Sequence, residues 1–327
     1  MKSKIDNANF PHTADRRVYH VGVKHGEVAN RILTVGDPVR ARRIAQHLDA
    51  SPQAFECTSQ RGFTTFTGRF KGVPVSIIAI GMGYPMMDSF VRETRAVVTG
   101  DLIIIRFGSC GTLVPEIPVG RIVVCSRALA ILTNYDYFQL KNQKDNQSPT
   151  TASASSPYLI SKPIYCDKNL HDNLTSELRK ALAGQEVVSD TLHAGTDSFY
   201  SSQGRLDSNF ADQNQDLLDN LKNLKPAPVT LEMETSHLFF LANITHHNPL
   251  NNPVNSDDES GFCQGKGKIR AAAAHMTFAG RVKGDFISPE QVEHLEHQAG
   301  QACLETLIQQ AIDPNDEHPV KGSVWEI

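Results

Sequence analysis

The sequence predicts an α/β fold in which a mixed, largely parallel sheet is covered by helices on both faces. Strand-like and helix-like segments alternate along most of the chain, which is typical of repeated βα units. Several strand-like segments, among them residues 73–80 and 102–107, are uniformly apolar, as strands buried on both faces are. A chain of 327 residues buries a sizeable core, but its length alone fits either one large domain or two smaller ones.

The composition is that of an ordinary soluble globular protein. Hydrophobic residues make up 40%, charged residues 21%, and the net charge is -4, so the basic excess of a nucleic-acid-binding protein is absent. No apolar run is long enough to cross a membrane, and residues 1–17 lack a secretory apolar core. We therefore expect a cytoplasmic protein with a small-molecule partner, no nucleic-acid partner and no membrane association. The six cysteines are far apart, without the spacing of a metal site, and no metal is predicted.

The first predicted βα unit offers a candidate anion site. Arg31-Ile32-Leu33-Thr34-Val35 is a short apolar strand, and Gly36-Asp37-Pro38 leads from it into a helix at about residues 39–48. Backbone amides at a helix N-terminus bind anions, and Arg40 is placed to help. A plain turn explains the same three residues, so both interpretations stay open. Further strands at residues 61–68 and 73–80 and a helix at about residues 86–98 follow.

The next predicted strand, residues 102–107, carries Arg106 at its carboxyl end. A buried arginine needs either a bound anion or an acidic side chain, and both remain open here. Gly108-Ser109-Cys110-Gly111 follows, but the spacing differs from the GxSxG motif of a hydrolase nucleophile. The earlier Gly81-Met82-Gly83 lacks the third glycine and downstream acid of a dinucleotide site, so no redox cofactor is predicted.

The second half of the chain restores the βα alternation around two polar insertions. The insertions, at about residues 142–157 and 243–268, have low-complexity or polar composition, and His246-His247 in the second lacks the spacing of a metal motif. Residues 196–205 follow a predicted strand end, where open α/β sheets bind ligands, although a plain loop is also compatible. The remaining predicted elements are strands at residues 122–126, 187–192 and 269–278 and helices at residues 167–183, 212–224 and 289–311.

Two carboxylates flank a methionine where a strand meets a helix. Residues 228–231 have strand composition, Glu232-Met233-Glu234 follows, and an apolar helix starts at Thr235. Acidic residues at a helix N-terminus are favoured by the helix dipole, which explains this stretch without any ligand. In an extended strand both glutamates share one face and Met233 takes the other.

Assembled in order, these stretches resemble the nucleoside phosphorylase family, whose members include uridine phosphorylases and the hexameric purine nucleoside phosphorylases. The resemblance runs from about residue 19 to the last helix, and Phe199-Tyr200-Ser201-Ser202-Gln203-Gly204-Arg205 is its most diagnostic part. It implies a single domain over residues 1–327, built as a three-layer α/β/α sandwich that the two insertions interrupt. The other carriers are Tyr19-His20-Val21-Gly22, Gly36-Asp37-Pro38-Val39-Arg40, Arg61-Gly62-Phe63-Thr64-Thr65, Arg106-Phe107-Gly108-Ser109-Cys110-Gly111 and Glu232-Met233-Glu234-Thr235.

The resemblance implies a role for each candidate site residue. Guanidinium forks match phosphate oxygens, and the residues implied to bind phosphate are Gly36, Arg40, Arg61, Arg106 and Ser109. The ribose would contact His20, Met233 and Glu234, and the base would contact Phe199, Gln203 and Arg205. Arg106, Glu234 and Arg205 are the implied catalytic residues, while Glu232 is open between contact with substrate and a supporting role. Arg281 is only a candidate for contact with the base. No acidic residue stands at the position where the purine members of the family have an aspartate that protonates the leaving base.

The implied reaction is phosphorolysis of uridine to uracil and ribose 1-phosphate, with inversion at C1′, in pyrimidine salvage. Inorganic phosphate is a co-substrate and no cofactor is required. In the family the residues matching His20 and Arg61 come from the neighbouring subunit, which implies at least a homodimer with shared active sites. Asp88 and other interface groups leave room for an interface cation. The alternatives are a purine nucleoside phosphorylase, a hydrolytic nucleosidase, and a nucleoside-binding or storage protein without catalysis.

Overall fold

The computed structural model describes residues 4–142, 156–245 and 267–327. The strands are β1 (Ile5–Asp6), β2 (His12–Thr13), β3 (Arg31–Val35), β4 (Phe55–Thr58), β5 (Thr64–Phe70), β6 (Val73–Ala79), β7 (Leu102–Thr112), β8 (Ile122–Thr133), β9 (Tyr158–Ile160), β10 (Ile164–Tyr165), β11 (Val187–Thr196), β12 (Thr230–Glu232) and β13 (Ile269–Gly280). The α-helices are α1 (Pro38–Ala45), α2 (Tyr84–Val97), α3 (Tyr135–Asn142), α4 (Lys168–Ala181), α5 (Leu217–Lys222), α6 (Thr235–Ile244) and α7 (Pro289–Ile308).

Strands β3 to β13 form one mixed sheet that partly closes on itself. β7 pairs with β13, β13 with β8, β8 with β11, β11 with β12, and β12 returns to β7, so five strands make a closed ring. β3, β6, β5 and β4 extend the sheet outward from β7. Parallel pairings join β3 to β6 and β7, β7 to β13, and β11 to β8 and β12. The predicted mixed sheet is confirmed, with the ring as an addition.

Helices cover both faces of the sheet, which confirms the predicted three layers. On one face α1, α4 and α7 bury their apolar residues, and Leu170, Leu174 and Leu178 of α4 recur every four residues to form one stripe. On the other face α2 and α6 pack with the segment before β3. Full burial of such a side chain contributes about 1.5–3 kcal/mol, so these two cores fix the positions of the strand ends.

Some predicted boundaries are wrong, and the contacts explain why. β7 and β8 extend beyond the predicted apolar runs because ring partners continue to pair with them, β13 as far as Thr112 and β11 as far as Ile131. The predicted helix at residues 212–224 is reduced to α5. Its first part is instead held as a loop, because the Asn214 side chain donates to the carbonyl oxygens of Ser201 and Arg205.

Most of both predicted insertions, including His246-His247, lies outside the described residues. Within the described ranges, no helix combines the length and apolar character that a membrane-crossing segment needs.

Candidate active site

A cleft of about 480 Å³ opens at the carboxyl ends of the central strands. This is the edge at which sheets of this class bind ligands. Its walls come from the ends of β3, β6, β7, β12 and β13 and from the loop after β11. They comprise Gly36, Asp37, Arg40, Gly81, Met82, Arg106, Ser109, Cys110, Gly111, Phe199, Gln203, Arg205, Leu231, Glu232, Met233, Glu234, Phe278, Ala279 and Phe286.

A buried ion pair lies at the centre of this cleft. The Arg106 Nη2 atom donates to Glu234 Oε2 at 2.6 Å, and the Gly83 amide donates to the other carboxylate oxygen. The Nε and Nη1 atoms of Arg106 are buried and have no hydrogen-bond partner among the described residues. A buried arginine with unpartnered donors favours an anion, since leaving those donors unsatisfied is costly. The acidic partner predicted for Arg106 is therefore present as Glu234, and the anion site stays a prediction.

Arg40 lies beside this pair, with its three guanidinium nitrogens held by the protein. Its Nε atom donates to Glu296 of α7 at 2.8 Å, and Nη1 donates to the Phe107 carbonyl at 3.2 Å. Its Nη2 atom donates to the Ser109 hydroxyl at 2.7 Å. Burial lowers the pKa of Arg40, although Glu296 opposes that shift. Arg40 thus adds a fixed positive charge and orients Ser109 at the cleft wall.

The start of α1 forms the floor at the Arg106 end. The Asp37 carboxylate accepts a hydrogen bond from the Val39 amide at 3.0 Å, which caps the helix. A Cβ atom at Gly36 would lie 3.3 Å from the Gly81 carbonyl oxygen and 3.7 Å from Arg106 Nη2. A larger residue would therefore crowd the Gly81 carbonyl where two strand ends approach each other. The predicted Gly-Asp-Pro turn leads directly into the start of α1 at this place.

The Glu-Met-Glu stretch has two different carboxylates. Glu232 accepts hydrogen bonds from the Glu234 amide at 2.8 Å and the Thr235 amide at 3.0 Å, so it satisfies the start of α6. Burial alone would raise the pKa of Glu232, but His193 and His275 nearby hold it well below the ordinary range. Met233 lines the cleft and is 8% exposed. The helix-cap interpretation thus holds for Glu232, whereas Glu234 faces Arg106.

The opposite end of the cleft is formed by the loop after β11. The Arg205 guanidinium lies 3.7 Å from the centre of the Phe199 ring and donates to Gln203 Oε1 at 2.5 Å. Gln203 is buried and donates from Nε2 to Thr196 Oγ1 at 3.0 Å. Burial lowers the pKa of Arg205 to about 10, and the positive charge of Arg281 adds to the effect. The three residues predicted to hold a base therefore form one cluster.

Arg281 lies behind this loop and is not part of the cleft wall. It donates to the Gln203 carbonyl at 2.9 Å and to the Gly204 carbonyl at 3.4 Å. Its guanidinium group therefore holds the loop that carries Gln203 and Arg205.

His20 and Arg61 are not brought into the cleft of their own chain. The His20 Nδ1 atom lies 2.7 Å from Glu93 Oε1, and the His20 amide also donates to that carboxylate. The Arg61 Nη2 atom donates to the Tyr19 hydroxyl at 2.5 Å, and its guanidinium carbon lies 5.0 Å from the centre of the Tyr19 ring. The remaining predicted site residues converge on a single cleft.

Sequence reasoning missed several residues of the site. Glu296, which holds Arg40, lies 256 positions away from it on α7, and no local pattern connects them. Phe278 and Phe286 line the cleft on either side of the turn after β13. Phe278 follows an apolar strand pattern near its carboxyl end, which is the signal that could have found it.

Three buried side chains beneath the cleft have donor types that bind metals. His193, Glu232 and His275 place one donor atom each within 4.8 Å of the others. The two imidazole rings are stacked, with centroids 4.3 Å apart and planes at 8°. Their lone pairs therefore run along parallel planes, whereas one metal ion needs ligands that converge on it.

Comparison with known proteins gives the same assignment along most of the chain. Residues 30–248 match the family model of the phosphorylase superfamily. A uridine phosphorylase from Thermococcus kodakarensis is 30% identical over 247 residues, covering 75% of this chain and 78% of that protein. A DeoD-type purine nucleoside phosphorylase from Caldanaerobacter subterraneus subsp. tengcongensis is 38% identical over 109 residues, covering 33% of this chain and 46% of that protein.

A solved structure agrees over a greater length. It comes from a structural and catalytic study of two diverse uridine phosphorylases in the oomycete Phytophthora capsici. It is 36% identical, has a TM-score of 0.80, and covers 94% of this chain and 100% of that one. The chain therefore belongs to the phosphorylase superfamily and is an enzyme, a pentosyltransferase of the nucleoside phosphorylase type.

Proposed function

We propose that this enzyme catalyses the phosphorolysis of uridine to uracil and ribose 1-phosphate, a step of pyrimidine salvage. The observation that carries the proposal is the arrangement of Arg106, which pairs with Glu234 through one nitrogen and has two buried nitrogens without a partner among the described residues. One guanidinium group can thus bind an attacking phosphate while it orients the carboxylate assigned to the ribose. Two relatives named uridine phosphorylases, at 30% and 36% identity, support the choice of substrate.

In the proposed reaction a phosphate oxygen forms a bond to C1′ while the bond from C1′ to the base breaks. The electron pair of that bond moves to the base, and positive charge develops on the sugar. The proton that hydrogen phosphate gives up ends on the released nitrogen of uracil. Arg106 and Arg40, with Ser109 and Gly36, hold the phosphate on one face, where its negative charge stabilises the sugar cation. Glu234 accepts hydrogen bonds from the ribose hydroxyls and Met233 packs on the sugar. Holding both substrates in line supplies the rest of the rate advantage.

The base end of the cleft favours a pyrimidine. Arg205 and Gln203 carry N–H donors for the carbonyl oxygens of uracil, which become more negative as the base leaves. Phe199 lines the cleft, is 40% exposed and presents an aromatic ring for stacking. No acidic side chain lines the described cleft at this end. The purine alternative rests on relatives such as the purine nucleoside phosphorylase that matches one third of the chain.

We infer that the working enzyme is at least a homodimer in which His20 and Arg61 complete the partner's site. Support comes from their position, since both lie outside the cleft of their own chain while Arg61 is exposed. An interface cation belongs to the same proposal. Asp88, the candidate ligand, is engaged by Arg92 and His237 at 3.0 Å and 3.1 Å.

The deciding test is a phosphorolysis assay over uridine, thymidine and inosine, each with and without phosphate. We expect uracil release from uridine that depends on phosphate. Arg106→Ala should lower kcat/KM by about 100-fold or more, as the loss of a preorganised charge-stabilising donor does. Arg42→Ala is the matched control, because Arg42 is an exposed arginine of α1 whose ion pair is with Glu56.

Each alternative has its own outcome in this assay. Inosine turnover clearly above uridine turnover would decide for a purine nucleoside phosphorylase. Uracil release that is unchanged without phosphate would identify a hydrolytic nucleosidase. Nucleoside binding without any turnover under saturating phosphate would identify a storage or binding protein.

A further inference from the structure

Two buried histidines meet inside the five-stranded ring, beneath the cleft. His193 lies on β11 and His275 on β13, strands that do not pair with each other, yet their rings stack with centroids 4.3 Å apart. Both side chains therefore point into the ring, and both are fully buried. The proposed reaction uses neither imidazole, so their burial beneath the cleft needs another explanation.

The two imidazoles contact opposite ends of the turn that leads from β12 into α6. His193 Nε2 lies 3.0 Å from Glu232 Oε1, and His275 Nε2 lies 2.9 Å from the Thr235 hydroxyl oxygen. Between these contacts stand Met233 and Glu234, and the Glu234 amide donates to the Glu232 carboxylate. The backbone of Glu234, the proposed ribose-binding residue, is thus bonded to the Glu232 carboxylate, which His193 contacts in turn.

The first contact is electrostatic in character. The distance from His193 Nε2 to the carboxylate is that of an ion pair, but the direction of the N–H bond does not meet hydrogen-bond geometry. His193 Nδ1 lies 2.7 Å from the Thr230 hydroxyl. If that hydroxyl donates to Nδ1, the proton sits on Nε2 and faces Glu232, which is the tautomer we assign.

The second contact depends on a glycine. A Cβ atom at Gly108 of β7 would lie 2.8 Å from His275 Cδ2, closer than two carbon atoms can pack. The strand next to β13 therefore leaves room for this imidazole. Burial lowers the pKa of His275 well below its ordinary value, and His193 adds to the effect.

We propose that His193 and His275 are positioning residues that hold the turn of residues 232–235, so that Glu234 meets the 2′ and 3′ hydroxyls of the ribose. They touch no substrate and act through Glu232 and Thr235. The inference rests on the proposed function through the role of Glu234 as the ribose anchor. It adds an interior support that lies on the far side of the turn from the cleft.

The test measures ribose recognition apart from the base and from turnover. Isothermal titration calorimetry gives the dissociation constants of ribose 1-phosphate and 2-deoxyribose 1-phosphate, and their ratio reports the contact to the 2′ hydroxyl. We expect wild-type protein to prefer ribose 1-phosphate. His193→Leu should reduce that preference on the order of tenfold. This is the scale of one hydrogen bond to a charged group, here the bond from the 2′ hydroxyl to the Glu234 carboxylate. His193→Gln keeps an N–H donor and should retain most of it.

His171→Leu is the matched control. His171 is also a buried histidine, but it lies on α4 and contacts Asp172, away from the cleft. A general loss of packing lowers both affinities in both leucine variants and leaves the ratio unchanged. If His193→Leu does not fold, Thr235→Val tests the same turn, because it keeps the side-chain shape and removes the hydroxyl that His275 contacts.

Three results would overturn the inference. They are an unchanged ratio in folded His193→Leu or Thr235→Val, a wild-type protein that does not discriminate between the two sugar phosphates, and a stoichiometric metal ion whose chelation abolishes the preference. The uridine assay is read separately. A protein with the expected ratios that fails to cleave uridine refutes the proposed substrate and leaves the positioning role standing.

Discussion

The surroundings of Glu234 act on its charge in opposite directions. Burial and Glu232 disfavour the ionised carboxylate, and Arg106 favours it. Burial raises its pKa above the ordinary range of glutamate, and the carboxylate of Glu232 adds to the rise. Arg106 opposes the rise through its 2.6 Å contact. Glu234 therefore takes up a proton at a higher pH than an exposed glutamate does.

This shift predicts an acid limb in the pH profile of kcat/KM. Only the ionised form of Glu234 accepts hydrogen bonds at both oxygens, so activity should fall as the pH drops through the raised pKa. The pKa read from this limb belongs to the coupled pair of Glu232 and Glu234 and not to either residue alone. It should lie at a higher pH than the range of an exposed glutamate, and steady-state kinetics across pH measures it.

The control for this prediction is Glu234→Gln. It should have much lower activity and no limb in that window, and a limb that persists in this variant would assign the titration to another group. Stability should respond in the opposite sense. The folded state binds more protons than the unfolded state, so the free energy of unfolding falls as the pH rises from the ordinary glutamate pKa to the raised one.

At the scale of single residues, the sequence predicts the residues that line the cleft better than it predicts the residues that hold them in place. Arg106 at a strand end was expected to need an acid or an anion, and Glu234 meets that need from 128 positions away. The candidate residues at strand ends converge because parallel strands end at one edge. Glu296 and His193 could not be found, since their contacts form only when distant strands and helices pack.

At the scale of elements, α1 and α7 are joined through a buried charge pair. Arg40 of α1 donates to Glu296 of α7 at 2.8 Å, and both side chains are almost fully buried. Arg43 of α1 also pairs with Glu296. A buried pair of this kind adds little net stability compared with apolar packing, but losing one partner leaves a charge without compensation.

Glu296→Gln should therefore destabilise the protein by about 3–5 kcal/mol, the usual cost of leaving a buried charge unpaired. Chemical denaturation monitors the free energy of unfolding. Glu293→Gln is the matched control, because Glu293 lies on the same helix, is 69% exposed at its side chain and contacts Arg43 only at 3.7 Å. Equal effects of the two substitutions would contradict a special role for the buried pair.

Element boundaries show where local patterns stop being informative. The predicted end of β8 is too early because Ser126 and Arg127 interrupt its apolar run, and only pairing with β11 shows that the strand continues. Helix α5 was predicted too long because the polar residues before it suit a helix as well as a loop. Tertiary hydrogen bonds from Asn214 decide between them.

At the scale of the whole molecule, the cleft of one chain holds most of the predicted site, but not all of it. Arg61 contacts Tyr19 and His20 contacts the buried Glu93, both outside the cleft of their own chain. The assigned roles of these two residues require a second subunit.

A subunit-mixing experiment tests this sharing. Arg61→Ala and Arg106→Ala should each be nearly inactive alone. When both are co-expressed, mixed dimers carry one site with no substitution and one with both, so random pairing should restore about a quarter of wild-type activity. Activity of the mixture equal to the mean of the separate variants would show that Arg61 acts within its own chain or not at all.

Closure of the strand ring also constrains how the chain folds. β13 pairs with β7 along Ile269–Gly280, joining segments separated by more than half of the chain, and the same strand pairs with β8. Loops of that length close slowly, because their entropy is lost before the contacts form. During synthesis the inner edges of β7 and β8 stay open until β13 has left the ribosome. A chain that stops before β13 therefore exposes two central strand edges, which are sites for aggregation.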